Sequence, residues 1–127
     1  MKASIERIST HHSVHAFSIS ESHFELKWHY HPEYELTYIT KGSGKRMVGD
    51  HYDNFEEGDL VLIGSGLPHT WISEPETGQS VSAIVIQFSA SLISTFFSID
   101  EFYFIKKMFS DCERGYDDTQ WFCSPRK

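Results

Sequence analysis

Two stretches decide the fold: His29-Tyr30-His31-Pro32-Glu33-Tyr34-Glu35, which runs on through Leu36-Thr37-Tyr38-Ile39-Thr40 to Gly42, and Gly58-Asp59-Leu60-Val61-Leu62-Ile63-Gly64-Ser65-Gly66-Leu67-Pro68-His69. Side chains on a strand alternate between faces, so His29, His31 and Glu35 share a parity and converge if the strand stays extended past Pro32. His69 follows a Gly-x-Gly-x-Pro turn, after which an antiparallel return strand brings it to the same place. Neutral imidazoles with one carboxylate suit a divalent transition metal. Octahedral iron, manganese, nickel or cobalt fits best, and zinc less specifically. A His-x-His pair alone is equally well explained as polar surface. The in-phase Glu35 and the distant His69 favour a metal site.

Around this stretch the pattern is that of strands. Val14-His15-Ala16-Phe17-Ser18-Ile19 has a period of two, as does Phe24, Leu26 and Trp28 against Glu25 and Lys27. Residues 35–40 read as a strand, Gly42-Ser43-Gly44 as a turn and residues 45–48 as the returning arm of a hairpin. Residues 60–63 and 81–88 read as further strands, with a Ser/Glu/Pro/Thr/Gly loop over 73–80. Many short strands separated by Gly-rich turns predict an all-β sandwich or barrel. Past Phe88 the period becomes helical at Leu92, Ile93, Phe96 and Phe97. Ser98-Ile99-Asp100-Glu101 then reads as a capping box opening a second helix to about residue 110. Helices are thus expected within about 89–113, and residues 116–127, with no period, are expected to be loosely ordered.

The spacing His29-x-His31-x3-Glu35-x6-Gly42, with Gly58-x5-Gly64-x-Gly66-x2-His69, resembles the paired motifs of the cupin superfamily. The wording within them is similar to the amino-terminal sensor domain of AraC-type transcriptional regulators, over roughly residues 5–115. Where the motifs carry a glycine, a proline and an asparagine, this chain has His23, Gly64 and Ser73; none of these changes removes a ligand. The resemblance implies a double-stranded β-helix, the cupin jelly roll, forming one sensor domain over residues 1–115 with one or two short C-terminal helices. It implies a metal bound by His29, His31, Glu35 and His69, and a small molecule bound in the barrel mouth. Trp28, Tyr30, Trp71 and Phe88, the aromatic residues nearest the site in sequence, are candidate pocket walls or core residues. Arg46 is a candidate clamp for a ligand carboxylate if it faces inward.

In such regulators a helix-turn-helix domain follows the sensor; it is expected to lie outside this chain. The alternative is a free-standing metal-dependent cupin enzyme, a dioxygenase or isomerase, for which Glu33 and Tyr38 are the only nearby acid–base candidates. A third reading is a metal-free binding or dimerisation module in which the same four residues make ordinary polar contacts.

Composition bounds these readings. The 127 residues suffice for one core, and 15% aromatic content supports a packed interior. Eleven Lys and Arg against 18 Asp and Glu give a formal net charge of -7, which argues against direct nucleic-acid binding. Only Cys112 and Cys123 are present, no leader pattern opens the sequence, and apolar runs are too short to span a bilayer, so a cytoplasmic location is expected. Phe102, Ile105, Met108 and Phe109 stripe the second predicted helix, and a homodimer through this helix is expected.

Overall fold

The structure, a computed structural model, describes residues 2–5, 14–75, 78–97, 100–103 and 107. Nine strands run through the described residues: β1 (Ser4–Ile5), β2 (Val14–Glu21), β3 (His29–Tyr30), β4 (Tyr34–Lys41), β5 (Gly44–Val48), β6 (His51–Phe55), β7 (Leu60–Ile63), β8 (His69–Ile72) and β9 (Val81–Phe88). They form a five-stranded sheet in the order β1-β3-β8-β5-β6 and a four-stranded sheet in the order β2-β9-β4-β7. Every pairing is antiparallel except β1 with β3. This is the two-sheet, all-β architecture of the jelly roll.

Alternation explains the layering. Along β9, Val81, Ala83, Val85 and Gln87 are buried while Ile84 is exposed, and along β4 the buried Glu35, Thr37 and Ile39 alternate with half-buried Leu36 and exposed Tyr38. Two apolar clusters fill the interior, one of Val48, Val61 and Ile63, the other of Ile39, Phe55 and Ala83; Trp71 packs against both. Fully burying a side chain such as Phe55 or Ile63 contributes about 1.5–3 kcal/mol.

Residues 35–48 do not form the hairpin that their turn residues suggest. β4 lies between β9 and β7 in one sheet, whereas β5 lies between β8 and β6 in the other. Gly42-Ser43-Gly44 is therefore a corner at which the chain changes sheets. Gly42 adopts φ 98°, a left-handed conformation, and a Cβ there would lie 2.5 Å from Val81 Cγ1. The hairpin is instead β5–β6, which turns at Gly49-Asp50 and pairs Val48 with His51.

Two other expected strands are also interrupted. Residues 24–28 are irregular, because hydroxyl groups replace a ladder: Phe24 N–H donates to Ser73 Oγ (2.8 Å) and Lys27 N–H to Thr70 Oγ1 (3.0 Å). Between His29 and Glu35 the chain bends at Pro32-Glu33, where proline has no N–H for a ladder. The bend is fixed from the following turn, since Gly66 N–H donates to His31 O (2.8 Å) and Ser65 Oγ–H to Pro32 O (2.5 Å).

After β9, helix α1 (Ala90–Phe97) starts at Ser89, whose Oγ accepts the Leu92 N–H (3.2 Å) as an N-cap. One 3-10 turn follows at Asp100–Phe102. The proposed capping box at Ser98, most of the second helix and the 116–127 tail fall outside the described residues. Among the described residues no helix is long and apolar enough to cross a membrane.

Candidate metal centre and ligand cavity

The bend at Pro32 places the four ligand-type residues on facing sheets. His29 on β3 pairs directly with His69 on β8, His31 follows β3, and Glu35 comes across from β4. Their convergence is thus a crossing between sheets and not the parity of one extended strand. The ligand nitrogens of His29, His31 and His69 all lie within 4.8 Å of one another. Glu35 Oε1 stands 3.1 Å from His31 Nε2 and 3.7 Å from His69 Nε2.

The backbone fixes which nitrogen of each ring faces the centre. His29 Nδ1 meets Lys27 O at 2.5 Å, His31 Nδ1 meets Glu33 O at 3.0 Å, and His69 Nδ1 meets Leu67 O at 2.8 Å. A carbonyl oxygen only accepts, so Nδ1 carries the proton in all three and Nε2 is left with its lone pair in the neutral ring. Outer hydrogen bonds of this kind orient metal-ligating imidazoles.

Electron pairs therefore meet at the centre without enough protons between them. His31 Nε2 faces the Glu35 carboxylate, and among the described residues His69 Nε2 is buried with no hydrogen-bond partner. A cation at this position satisfies all of these groups together, so the residues present fit a divalent ion. Where no cation bridges them, a proton on Nε2 serves instead: burial by itself raises the Glu35 carboxyl, but hydrogen bonds from His31 and then His69, when those rings carry that proton, and from the Thr37 hydroxyl outweigh burial and hold it well below the usual carboxylate range. Thr37 Oγ1–H donates to Glu35 Oε2 (2.7 Å) and Gln87 Nε2–H to Oε1 (3.1 Å).

A cavity of about 200 Å³ opens above this centre. Glu35, Thr37, Gln87, His29 and His69 supply its polar lining, Phe17, Ile19, Phe24 and Trp71 its larger apolar walls, and Glu21, Glu25 and Lys27 are its exposed charged residues. It is smaller than the roughly 300–1,000 Å³ of drug-sized sites, so it suits a compact ligand.

Of the residues expected at the pocket from sequence, Trp71 lines this cavity, whereas Trp28, Tyr30, Arg46 and Phe88 are not among its lining. Phe88 follows the inward Gln87 and stacks on Tyr34, ring centroids 5.9 Å apart. Trp28 is half-buried beside β3, its carbonyl accepting the Ser4 N–H (3.0 Å), and Tyr30 is half-buried one residue from His29. Arg46 is buried, but its guanidinium lies against carboxylates, 3.6 Å from Asp59 and 3.6 Å from Asp53. Glu33 and Tyr38, the acid–base candidates of the enzyme reading, do not line the cavity either.

Sequence reasoning missed Phe17, Ile19 and Phe24 as walls, and Thr37 and Gln87 as partners of Glu35. Thr37 had a signal, since it lies two residues from Glu35 and hence on the same face. Gln87 had another, as the one polar residue among the inward positions of β9.

Comparison with known proteins agrees with this fold. Residues 4–98 match the model of a family described as the AraC-like ligand binding domain. No curated protein matches the chain. Among solved structures, a cupin 2 conserved barrel domain protein from Salinispora arenicola superposes with a TM-score of 0.54 at 17% identity, covering 73% of this chain and 77% of that one. A cupin 2 conserved barrel domain protein from Rhodopseudomonas palustris gives a TM-score of 0.51 at 16% identity, covering 67% and 58% respectively. At those identities the superpositions speak for the barrel only, while the family match spans all nine strands and the whole candidate centre. The chain belongs to the AraC-like ligand-binding domain family, built on the cupin fold.

Proposed function

We propose that this chain is the small-molecule-sensing domain of an AraC-type transcriptional regulator, and that His29, His31, Glu35 and His69 hold a divalent transition metal in its cavity. The observation that carries the metal reading is the common orientation of the three histidines. Each Nδ1 is engaged by a backbone carbonyl, which leaves three Nε2 lone pairs beside one buried carboxylate. Iron, manganese, nickel, cobalt or zinc suits this mixed nitrogen and oxygen set. When bound, the ion would supply a Lewis-acidic position for a polar group of the ligand. Trp71, Phe17 and Phe24 would cover the apolar part of that ligand.

Sensing is favoured over catalysis by the match of residues 4–98 to a ligand-binding domain family, and the two acid–base candidates read from the sequence, Glu33 and Tyr38, are not among the cavity lining. In a regulator, occupancy of the cavity would be passed to a DNA-binding module. The apolar residues Phe102, Ile105, Met108 and Phe109 would pair two sensors so that two such modules meet symmetric half-sites.

The test is a thermal-shift screen of compact polar molecules against metal-loaded protein, with each hit then incubated and assayed for conversion. A true effector at 100 times its Kd stabilises the domain by about 2.7 kcal/mol and is recovered unchanged. A hit converted over many turnovers would establish the enzyme reading instead.

A further inference from the structure

We infer that Thr37 and Gln87 are positioning residues of the centre, which hold the Glu35 carboxylate in one orientation and thereby set how tightly the ion is bound. This rests on the proposed metal site and extends it to two residues that touch no ion themselves.

The inner face of the four-stranded sheet is the starting point. Its buried inward positions on β4, β7 and β9 are Ile39, Val61, Ile63, Val81, Ala83 and Val85, all apolar, with three exceptions: Glu35, Thr37 and Gln87. A polar group in such a layer is disfavoured unless it is hydrogen-bonded, and a charge more so. The three exceptions are adjacent. Glu35 is the register partner of Gln87 across β4 and β9, and Thr37 is the next inward residue along β4. Each uses its donor on the carboxylate, Thr37 on Oε2 and Gln87 on Oε1. The two oxygens are thus held from two strands. The free electron pair of Oε1 is left facing His31 and His69.

Gln87 shows that this orientation is selected. Among the described residues its Oε1 has no hydrogen-bond partner, so the amide is turned to serve Glu35 and not its own carbonyl. Turning the amide over would set two oxygens against each other at the carboxylate. A glutamine present only to fill space is better replaced by an apolar residue, as at every other inward position of β9. A side chain that keeps its N–H on Glu35 at this cost belongs with the outer partners that orient metal ligands, whose loss typically weakens metal binding about 10- to 100-fold.

The test is Zn2+ affinity by competition with a chromophoric chelator, together with the visible absorption of the Co2+-substituted protein. Wild type would be compared with Thr37→Val, Thr37→Ser and Gln87→Leu. Thr37→Val keeps the shape and removes the hydroxyl, while Thr37→Ser keeps the hydroxyl. The inference expects Thr37→Val and Gln87→Leu each to bind Zn2+ about 10- to 100-fold more weakly, with altered Co2+ bands. Thr37→Ser should remain within a few-fold of wild type.

Thermal unfolding of the chelated proteins separates positioning from structural support. If the chelated variants lose stability while their Zn2+ affinity matches wild type, the role is structural and the inference fails. Equal affinity without loss of stability overturns it too. If wild type itself binds neither ion, the metal reading falls and this inference with it, an outcome distinct from a wild type that binds and variants that bind equally.

Discussion

Asp59→Ala is expected to destabilise the domain by about 3–5 kcal/mol, because it removes a buried carboxylate from beside a buried guanidinium. Asp59 is fully buried and Arg46 is 3% exposed, with 3.6 Å between Asp59 Oδ2 and Arg46 Nη1. The same carboxylate oxygen accepts the Glu56 N–H at 3.0 Å, which fixes the turn leading into β7. Removing it therefore affects a charge and a turn at once. Asp53 also lies 3.6 Å from Arg46, but its side chain is 48% exposed, and Asp53→Ala is expected to cost at most about 1 kcal/mol. Urea or thermal unfolding of the two variants decides the matter, with a drop in Tm on the order of 10 °C or more for Asp59→Ala. Adding Arg46→Met to Asp59→Ala should recover part of the loss, since a missing pair costs less than a half-pair. Equal effects at Asp53 and Asp59 would show that the buried pair does not have this role.

Gly44→Ala is expected to cost about 3 kcal/mol or more, at or beyond the upper end of ordinary overpacking. A Cβ at Gly44 would fall 2.2 Å from the Ile72 carbonyl oxygen and 2.8 Å from the Phe55 ring. A backbone oxygen cannot rotate away as a side chain can. Relief needs β5 and β8 to separate next to the Lys45–Ile72 pairing, at the corner where the chain passes from one sheet to the other. Gly58→Ala is the comparison. Gly58 has φ 93° but, among the described residues, no atom within 4 Å of its would-be Cβ, so only the left-handed backbone is strained, at about 1–2 kcal/mol. Unfolding curves in which Gly44→Ala is no worse than Gly58→Ala would contradict the close approach of the two strands.

How far the molecule was legible in advance differs from element to element. The ligand-type residues were readable because their spacing coincides with a known pair of motifs and because imidazole and carboxylate chemistry is local to each side chain. The route by which they meet was not. Parity suggested a single strand from His29 to Glu35, but Pro32 breaks the ladder and the two halves join different sheets. The turn residues Gly42-Ser43-Gly44 were equally readable as a hairpin or as a corner, since turn chemistry specifies a reversal and not the sheet in which the next strand pairs. Burial of Arg46 depended on Asp59, 13 positions away, through a contact that no pattern within β5 announces. The cavity walls came from Phe17, Ile19 and Phe24 for a similar reason. β2, which carries Phe17 and Ile19, reaches the site only by pairing with β9, more than sixty residues later in the chain, and Phe24 is held there by its bond to Ser73.

Metal content and affinity test the central claim most directly. Protein prepared without chelator and reconstituted with Zn2+, Mn2+, Fe2+, Co2+ or Ni2+ in turn would be analysed for bound ion beside a His31→Ala/His69→Ala double variant. Retention of about one ion per wild-type chain for at least one of these metals, with close to none in the double variant, is the predicted result. Negligible metal in both proteins, or equal retention by both, would contradict a centre built from His29, His31, Glu35 and His69.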